Sequence, residues 1–521
     1  MALVTTENRW LILLIACSLM ATVALRFLEL GSMVVWHDEV FSIARVFGIT
    51  HGQLNVAIND VQVHDVAYLQ RLQGPQPGHG LAETFQALQE HPEHSPLYYL
   101  TAWAVSDWAE RPIVALRGTS AALSLLLFPA IFWLARELAD RRYAWLALAL
   151  SATSPVFFLY AREARQYALW LVLITAASAA LLRALRSRHA RDFLIYGVLL
   201  ALALYTHLLT GLVMLAHALY LVMLLYPQPT ELFRLGRQAA LVWGAVLIVF
   251  LPWMQIILEN LEAVRGFTSW LTEEASLANL FASWQGHLFR LFVDLPGMEP
   301  FWPLGALLLL AALAWYFRRA PRKPRLFIGM IIVASLIIVV LPDLLLGGRR
   351  SLEARYLLQL LLAVELVLAW VLAQGLASPE PNRRRISLAV FVLLLGFGLV
   401  SQYSITFADS WWTKSLSAEN AAFARLVNAS EKPLLVGSHH AVSDGEILSL
   451  AHSLDSHVGV MMDGYVKPLV IPSGYSRLFA LLPSGRLRRT LEKDHRLEPF
   501  QDSWKWFVAI PLNSDSPNRR Y

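Results

Sequence analysis

The chain has 521 residues, 57% hydrophobic and 16% charged, with a formal net charge of +5 and a mean hydropathy of +0.50. Soluble domains run at about 25% charged residues, so the composition excludes a large soluble enzyme and reads as an α-helical polytopic membrane protein. The basic excess does not point to nucleic acid, because arginines in such a chain report the sidedness of loops. The single cysteine, Cys17, excludes an intrachain disulfide and a cysteine-based metal site.

The first apolar run, 10–28, is too long for a signal-peptide core, and no cleavage site follows it, so it reads as a retained span. Further runs near span length follow at 112–135, 143–159, 166–184, 193–206, 208–225, 238–257, 301–317, 325–342, 356–375 and 386–404, which makes eleven helices. Arginines gather in every second loop: at 136, 141 and 142, at 183–191, at 234 and 237, at 318–325, and at 383–385. The positive-inside rule assigns these loops to the cytoplasm. The N-terminus is then cytoplasmic and the tail extracytoplasmic, in a multi-pass protein of the plasma (inner) membrane.

Two segments test this count. The stretch 95–109 is about 15 apolar residues, short of the roughly 20 that a span needs, and reads as an interfacial helix rich in Trp and Tyr. The stretch 193–225 would be about 50 Å long as one helix, so the chain must turn near "THLLTG", 206–211. Residues 1–404, with a first external loop at about 29–111, then form a membrane domain. Residues 405–521 form a small extracytoplasmic α/β domain. In it "KPLLVGSHH" and "WKWFVAIPL" read as strands, and "SDGEILSLAHSL" as a helix capped by Ser443.

Several groups could carry chemistry. Asp38 and Glu39 begin an amphipathic stretch in the first loop, where a carboxylate also serves as an ordinary helix cap. Glu93 and His94 close the same loop; two such ligands are too few to define a metal site. In "FFLYAREARQYALW", Arg162 and Arg165 share one face if helical, and Glu163 and Tyr167 share another. Arg349, Arg350 and Arg355 lie at the outer ends of the ninth and tenth spans. Arginines set against the topology signal suggest an anion at the outer surface, most simply a lipid phosphate. His207 sits at the hairpin turn, and His439 and His440 end a strand without an assigned role.

The first-loop Asp-Glu pair, "HSPLYYL", "ALRGTSAALS", "YAREARQYAL", "YTHLL" and "EARYLL" occur together in an order that resembles GT-C glycosyltransferases of family 39. These are the polyprenyl-phosphate-dependent protein-mannosyltransferase and aminoarabinose-transferase-like enzymes, and the resemblance covers roughly residues 30–375. It implies a GT-C fold and an inverting transferase that moves a sugar from a polyprenyl-phosphate-linked donor to a glycan, lipid or protein acceptor. It implies Asp38 as general base with Glu39 beside it. Arg162, Arg165, Tyr167, Arg349, Arg355 and Tyr356 would sit at the donor phosphate, supported by Glu163 and His94. It also admits a divalent metal ion at Glu93 and His207. The competing classes are a lipid or polysaccharide transporter, which would place charges near mid-span, and a membrane sensor reading a ligand through the tail.

Overall fold

The computed structural model describes residues 6–106, 109–464 and 469–512. All eleven expected apolar segments are helical. Among the described residues eight helices are long and apolar enough to cross a membrane, and a bent pair, Arg141–Thr153 with Pro155–Ala161, makes a ninth. The two remaining segments are the short helices Ala190–Leu204 and Thr210–Leu225, separated by the expected turn. The protein is thus a multi-pass membrane protein.

The chain forms two compact units. One comprises Met1–Leu30, His91–Tyr98 and Arg117–Thr406; the other comprises Gly31–Glu90, Tyr99–Leu116 and Phe407–Tyr521. Most of the first loop, expected with the helical domain, clusters instead with the tail, while His91–Tyr98 stays with the helices. The cause is strand pairing, described below.

In the helical unit the helices Tyr167–Ser187 and Leu358–Leu376 are central, with 78% of their apolar windows buried, against 17% for Pro229–Glu259. The bent pair breaks by 60° at Ser154-Pro155. Proline lacks the N–H that would continue the ladder and clashes with the preceding turn, while the residue before it is pushed to extended geometry. Ser154 is extended accordingly, and its hydroxyl donates to Leu291 O at 2.9 Å. Opposite the break, the helix Pro381–Thr406 comes so close that a Cβ on Gly398 would lie 2.4 Å from Thr153 O.

The second unit is built on a six-stranded sheet: β1 Val63–Asp65, β2 Pro433–Ser438, β3 Gly459–Asp463, β4 Arg477–Leu481, β5 His495–Pro499 and β6 Trp506–Pro511. Their order is β1-β3-β2-β4-β6-β5, with β2 parallel to both β3 and β4 and the other pairs antiparallel. The strand β1 belongs to the first loop and adds to the tail's sheet through Val63–Met461 and Asp65–Gly459. A core of Leu434, Val436, Met461, Leu478, Ala480, Leu487, Leu491 and Ala509 fills the sheet. Both expected strands are present as β2 and β6. The expected helix begins earlier than read, at Ala441, and its cap is His440, whose ring accepts from Val442 N at 3.2 Å, rather than Ser443. Ser443 lies in the first turn and is buried.

Candidate active site

In the sheet unit the amphipathic stretch becomes the helix His37–Val46, which buries Val40, Ile43, Ala44 and Val46 within the unit. The two acidic residues at its start have different roles. Glu39 is fully buried; its Oε2 accepts from Trp36 N at 3.2 Å, closing the first turn, and lies 3.3 Å from Lys414 Nζ. This carboxylate is a cap and an ion-pair partner, which is the ordinary use of an acid at a helix start. Asp38 is only half-buried, and its main-chain carbonyl accepts from Ser42 Oγ at 3.0 Å. Of the pair, Asp38 is the less buried.

In the helical unit the charged stretch 162–166 is a turn between the helices Pro155–Ala161 and Tyr167–Ser187, not a helix. The break at Pro155 leaves only seven helical residues before the chain turns, so the face-sharing spacing expected of Arg162 and Arg165 does not apply. The two arginines diverge. Arg162 donates to Leu25 O, to Glu29 O at 3.1 Å and to Thr406 Oγ1 at 3.2 Å, and lies over the Phe158 ring. Burial, then the neighbouring Arg117 guanidinium, lowers its pKa to about 10, so it remains a cation that ties the ends of two helices. Arg165 is buried, lies 5.6 Å over the Tyr167 ring and donates to the Tyr167 hydroxyl at 3.4 Å. Its backbone N–H donates to Glu163 O at 2.7 Å.

His207, at the hairpin turn, packs its ring 4.8 Å from Trp170 and 5.7 Å from Tyr167. Burial drives its pKa down to about 3, and Arg165 and Arg355 push the same way. Both arginines therefore act on one imidazole, although 190 residues separate them in the sequence. Arg355 lies over the Trp270 and Tyr356 rings at 5.7 and 5.4 Å and sits 3.3 Å from Glu353. Arg349 is more exposed, paired with Glu273 at 3.0 Å and 5.9 Å over the same Trp270 ring. The arrangement is a cationic, aromatic-walled patch: Arg165, Arg355 and Arg349, with Tyr167, Tyr356, Trp170 and Trp270. Guanidinium groups stack favourably on aromatic faces and are suited to binding phosphate oxygens through paired N–H donors.

Glu93 and His207, the residues expected to hold a metal, each have other contacts. Glu93 Oε1 lies 3.2 Å from His91 Nδ1 and 3.7 Å from His94 Nε2. His207 Nδ1 accepts from Leu209 N at 3.1 Å, which fixes the proton on Nε2 and removes the lone pair a metal would need. Among the described residues no group of three or more His, Cys, Asp or Glu has the geometry for a metal ion. Glu93 belongs to a segment tied to the hairpin, where Leu97 N donates to Tyr205 O at 2.9 Å, and to the helix Pro229–Glu259, where Pro92 O accepts from Trp253 Nε1 at 3.0 Å.

Sequence reading missed Lys414, Ser417 and Trp270. Lys414 stands in "WWTKSL", where a lone cation among aromatics was the available signal of a buried ion pair. Trp270 lies in a short 3-10 helix, Ser269–Thr272, which leaves no periodic signal.

Residues 91–256 match the family described as dolichyl-phosphate-mannose-protein mannosyltransferase. That range holds Glu93, His94, Arg162, Glu163, Arg165, Tyr167 and His207, but neither Asp38 nor Arg355. The fold is similar to that of ArnT from Cupriavidus metallidurans bound to undecaprenyl phosphate, with 15% identity, a TM-score of 0.53, and 98% of this chain and 99% of that one covered. The apo form of the same protein matches with 15% identity, a TM-score of 0.52 and coverage of 97% and 98%. A search of curated proteins returns no match. The chain has the GT-C glycosyltransferase fold, with a small sheet region that includes the tail.

Proposed function

We propose that the protein is an inverting glycosyltransferase that moves a sugar from a polyprenyl-phosphate-linked donor to an acceptor at the outer face of the plasma membrane. The acceptor class is a glycan, a lipid or a protein. The observation that carries this reading is Arg165, held on the Tyr167 ring that lies 5.7 Å from His207, in a GT-C fold. Guanidinium groups held against aromatic rings, as Arg165 and Arg355 are, suit a phosphate that gains charge as it leaves. The undecaprenyl phosphate in the ArnT structure of the same fold supports a lipid phosphate as that group.

In the reaction an acceptor hydroxyl oxygen attacks the anomeric carbon as the bond from that carbon to the phosphate oxygen breaks. The electron pair leaves with the polyprenyl phosphate, and the acceptor proton passes to the Asp38 carboxylate. Single displacement inverts the anomeric centre. Arg165 and Arg355 neutralise the departing phosphate, Arg349 assists from the rim, and Tyr167 and Tyr356 hold the guanidinium groups by their rings. His207, kept neutral, presents a donor Nε2–H without adding a third charge. Arg162 acts as a helix tie. The alternation of arginine-rich loops supports an N-terminus in the cytoplasm and a tail outside it.

The test is to incubate the purified protein with polyprenyl-phospho-hexoses and pentoses and candidate acceptors, following free polyprenyl phosphate. A transferase releases it in step with glycosylated acceptor. A transporter or sensor releases none.

A further inference from the structure

The tail holds the Asp38 segment residue by residue within the sheet unit. Val34 N donates to Asp409 O at 2.8 Å, and Ser449 Oγ donates to Val35 O. His37 N donates to Ser417 Oγ at 3.0 Å, and Glu39 Oε2 lies 3.3 Å from Lys414 Nζ. Lys414 and Ser417 lie three apart on one short 3-10 turn, Trp412–Ser417. That turn therefore grips the residues on both sides of Asp38 while leaving Asp38 between them. Its anchor is deep. Ser417 Oγ donates to Glu446 Oε1 at 2.6 Å, and Glu446 is paired with Lys505 and buried with it. Lys505 also donates to Asn420 Oδ1 at 3.0 Å, which accepts from Trp506 Nε1 at 3.1 Å. From the other side His37 packs so closely on the helix Ala441–Ala451 that a Cβ on Gly445 would lie 2.2 Å from its Nδ1.

We infer that Lys414 and Ser417 are positioning residues for Asp38, and that the tail serves the reaction by fixing this carboxylate. The inference rests on the proposed role of Asp38 as general base. A buried ion pair is poor evidence for stability, since its desolvation offsets its attraction, and specifying one geometry is a better-attested use. Here the geometry specified is that of residues 37–39. A general base works only within hydrogen-bond reach of the proton it takes, so loosening both neighbours costs turnover more than donor binding.

The test compares Glu39→Gln/Lys414→Met, which removes both buried charges together, with Ser417→Ala and Gly445→Ala. Lys414→Arg is the conservative replacement, and Asp38→Asn the reference. Each is purified full-length, checked by thermal melting, and assayed for polyprenyl phosphate release. The expected result is a kcat lowered about 10- to 100-fold in the double variant, with donor KM within about threefold of wild type. Ser417→Ala and Gly445→Ala show smaller falls of the same kind. Lys414→Arg recovers most of kcat, and Arg488→Ala, which breaks an exposed pair with Glu492 in the same unit, leaves kcat unchanged. Should the double variant not fold, Ser417→Ala decides by the same criterion. Folded clamp variants with wild-type kcat beside an inactive Asp38→Asn would overturn this inference alone. An active Asp38→Asn would overturn the role of Asp38 and this inference with it.

Discussion

The Arg165 guanidinium lies 5.6 Å above the Tyr167 ring and donates to that residue's own hydroxyl at 3.4 Å. The tyrosine thus supports the cation by ring and by oxygen. A lysine lacks the guanidinium plane and binds as a point charge. Arg165→Lys is expected to lose roughly 10- to 100-fold in kcat/KM, corresponding to about 1.5–3 kcal/mol for a charged hydrogen bond. Tyr167→Phe keeps the ring and should lose only about threefold. Steady-state release of polyprenyl phosphate measures both.

Arg162 and Arg355 look alike in the sequence and differ in what they touch. Arg162→Ala leaves the carbonyls of Leu25 and Glu29 and the Thr406 hydroxyl without this donor. Each abandoned buried group costs about 1–3 kcal/mol, so the variant should melt earlier in detergent while its folded fraction keeps activity within about threefold. Arg355→Ala should do the reverse, melting as wild type with kcat/KM down about 100-fold. Paired melting and turnover curves distinguish the two.

His207 gives a stability signature in pH. Its folded pKa, about 3, lies below the ordinary 6.5, principally through burial. The unfolded chain then binds a proton that the folded one does not. The stabilisation is complete above pH 6.5 and is lost as pH falls towards 3, by at most about 1.4 kcal/mol per pH unit from this group. Thermal midpoints of wild type and His207→Gln between pH 4 and 8 should converge on the acid side, the variant showing the flatter profile.

The close approach at the bent pair predicts a steric penalty. A Cβ at Gly398 would lie 2.4 Å from Thr153 O, which is backbone and cannot rotate away. Gly398→Ala should therefore destabilise the helical unit by about 1–3 kcal/mol, read as a lower melting midpoint. Gly396→Ala, two residues away with nothing near its Cβ, should not.

The helices were legible because span length and arginine alternation are one-dimensional signals, and all eleven apolar segments are helical. The turn between Leu204 and Thr210 was equally readable, since one helix of that length would overshoot a bilayer. The union of first loop and tail was not readable. It depends on a three-residue strand, Val63–Asp65, pairing with residues almost 400 positions later, and so short a strand leaves no periodic trace. The same limit hid the division of labour between Asp38 and Glu39. Both suit a helix start, and only the partner, Lys414, reveals which one is committed to structure. Arg162 and Arg165 were separable only once Pro155 had broken the helix and turned the chain between them.

The most direct test of the account separates donor binding from turnover in a single variant. Purified wild type and Asp38→Asn, reconstituted in lipid nanodiscs, would be titrated with a polyprenyl-phospho-sugar and assayed for polyprenyl phosphate release with acceptor present. The account predicts donor affinity within about threefold of wild type and turnover lowered by at least 100-fold. Wild-type turnover in Asp38→Asn, or loss of donor binding in step with loss of turnover, would contradict it.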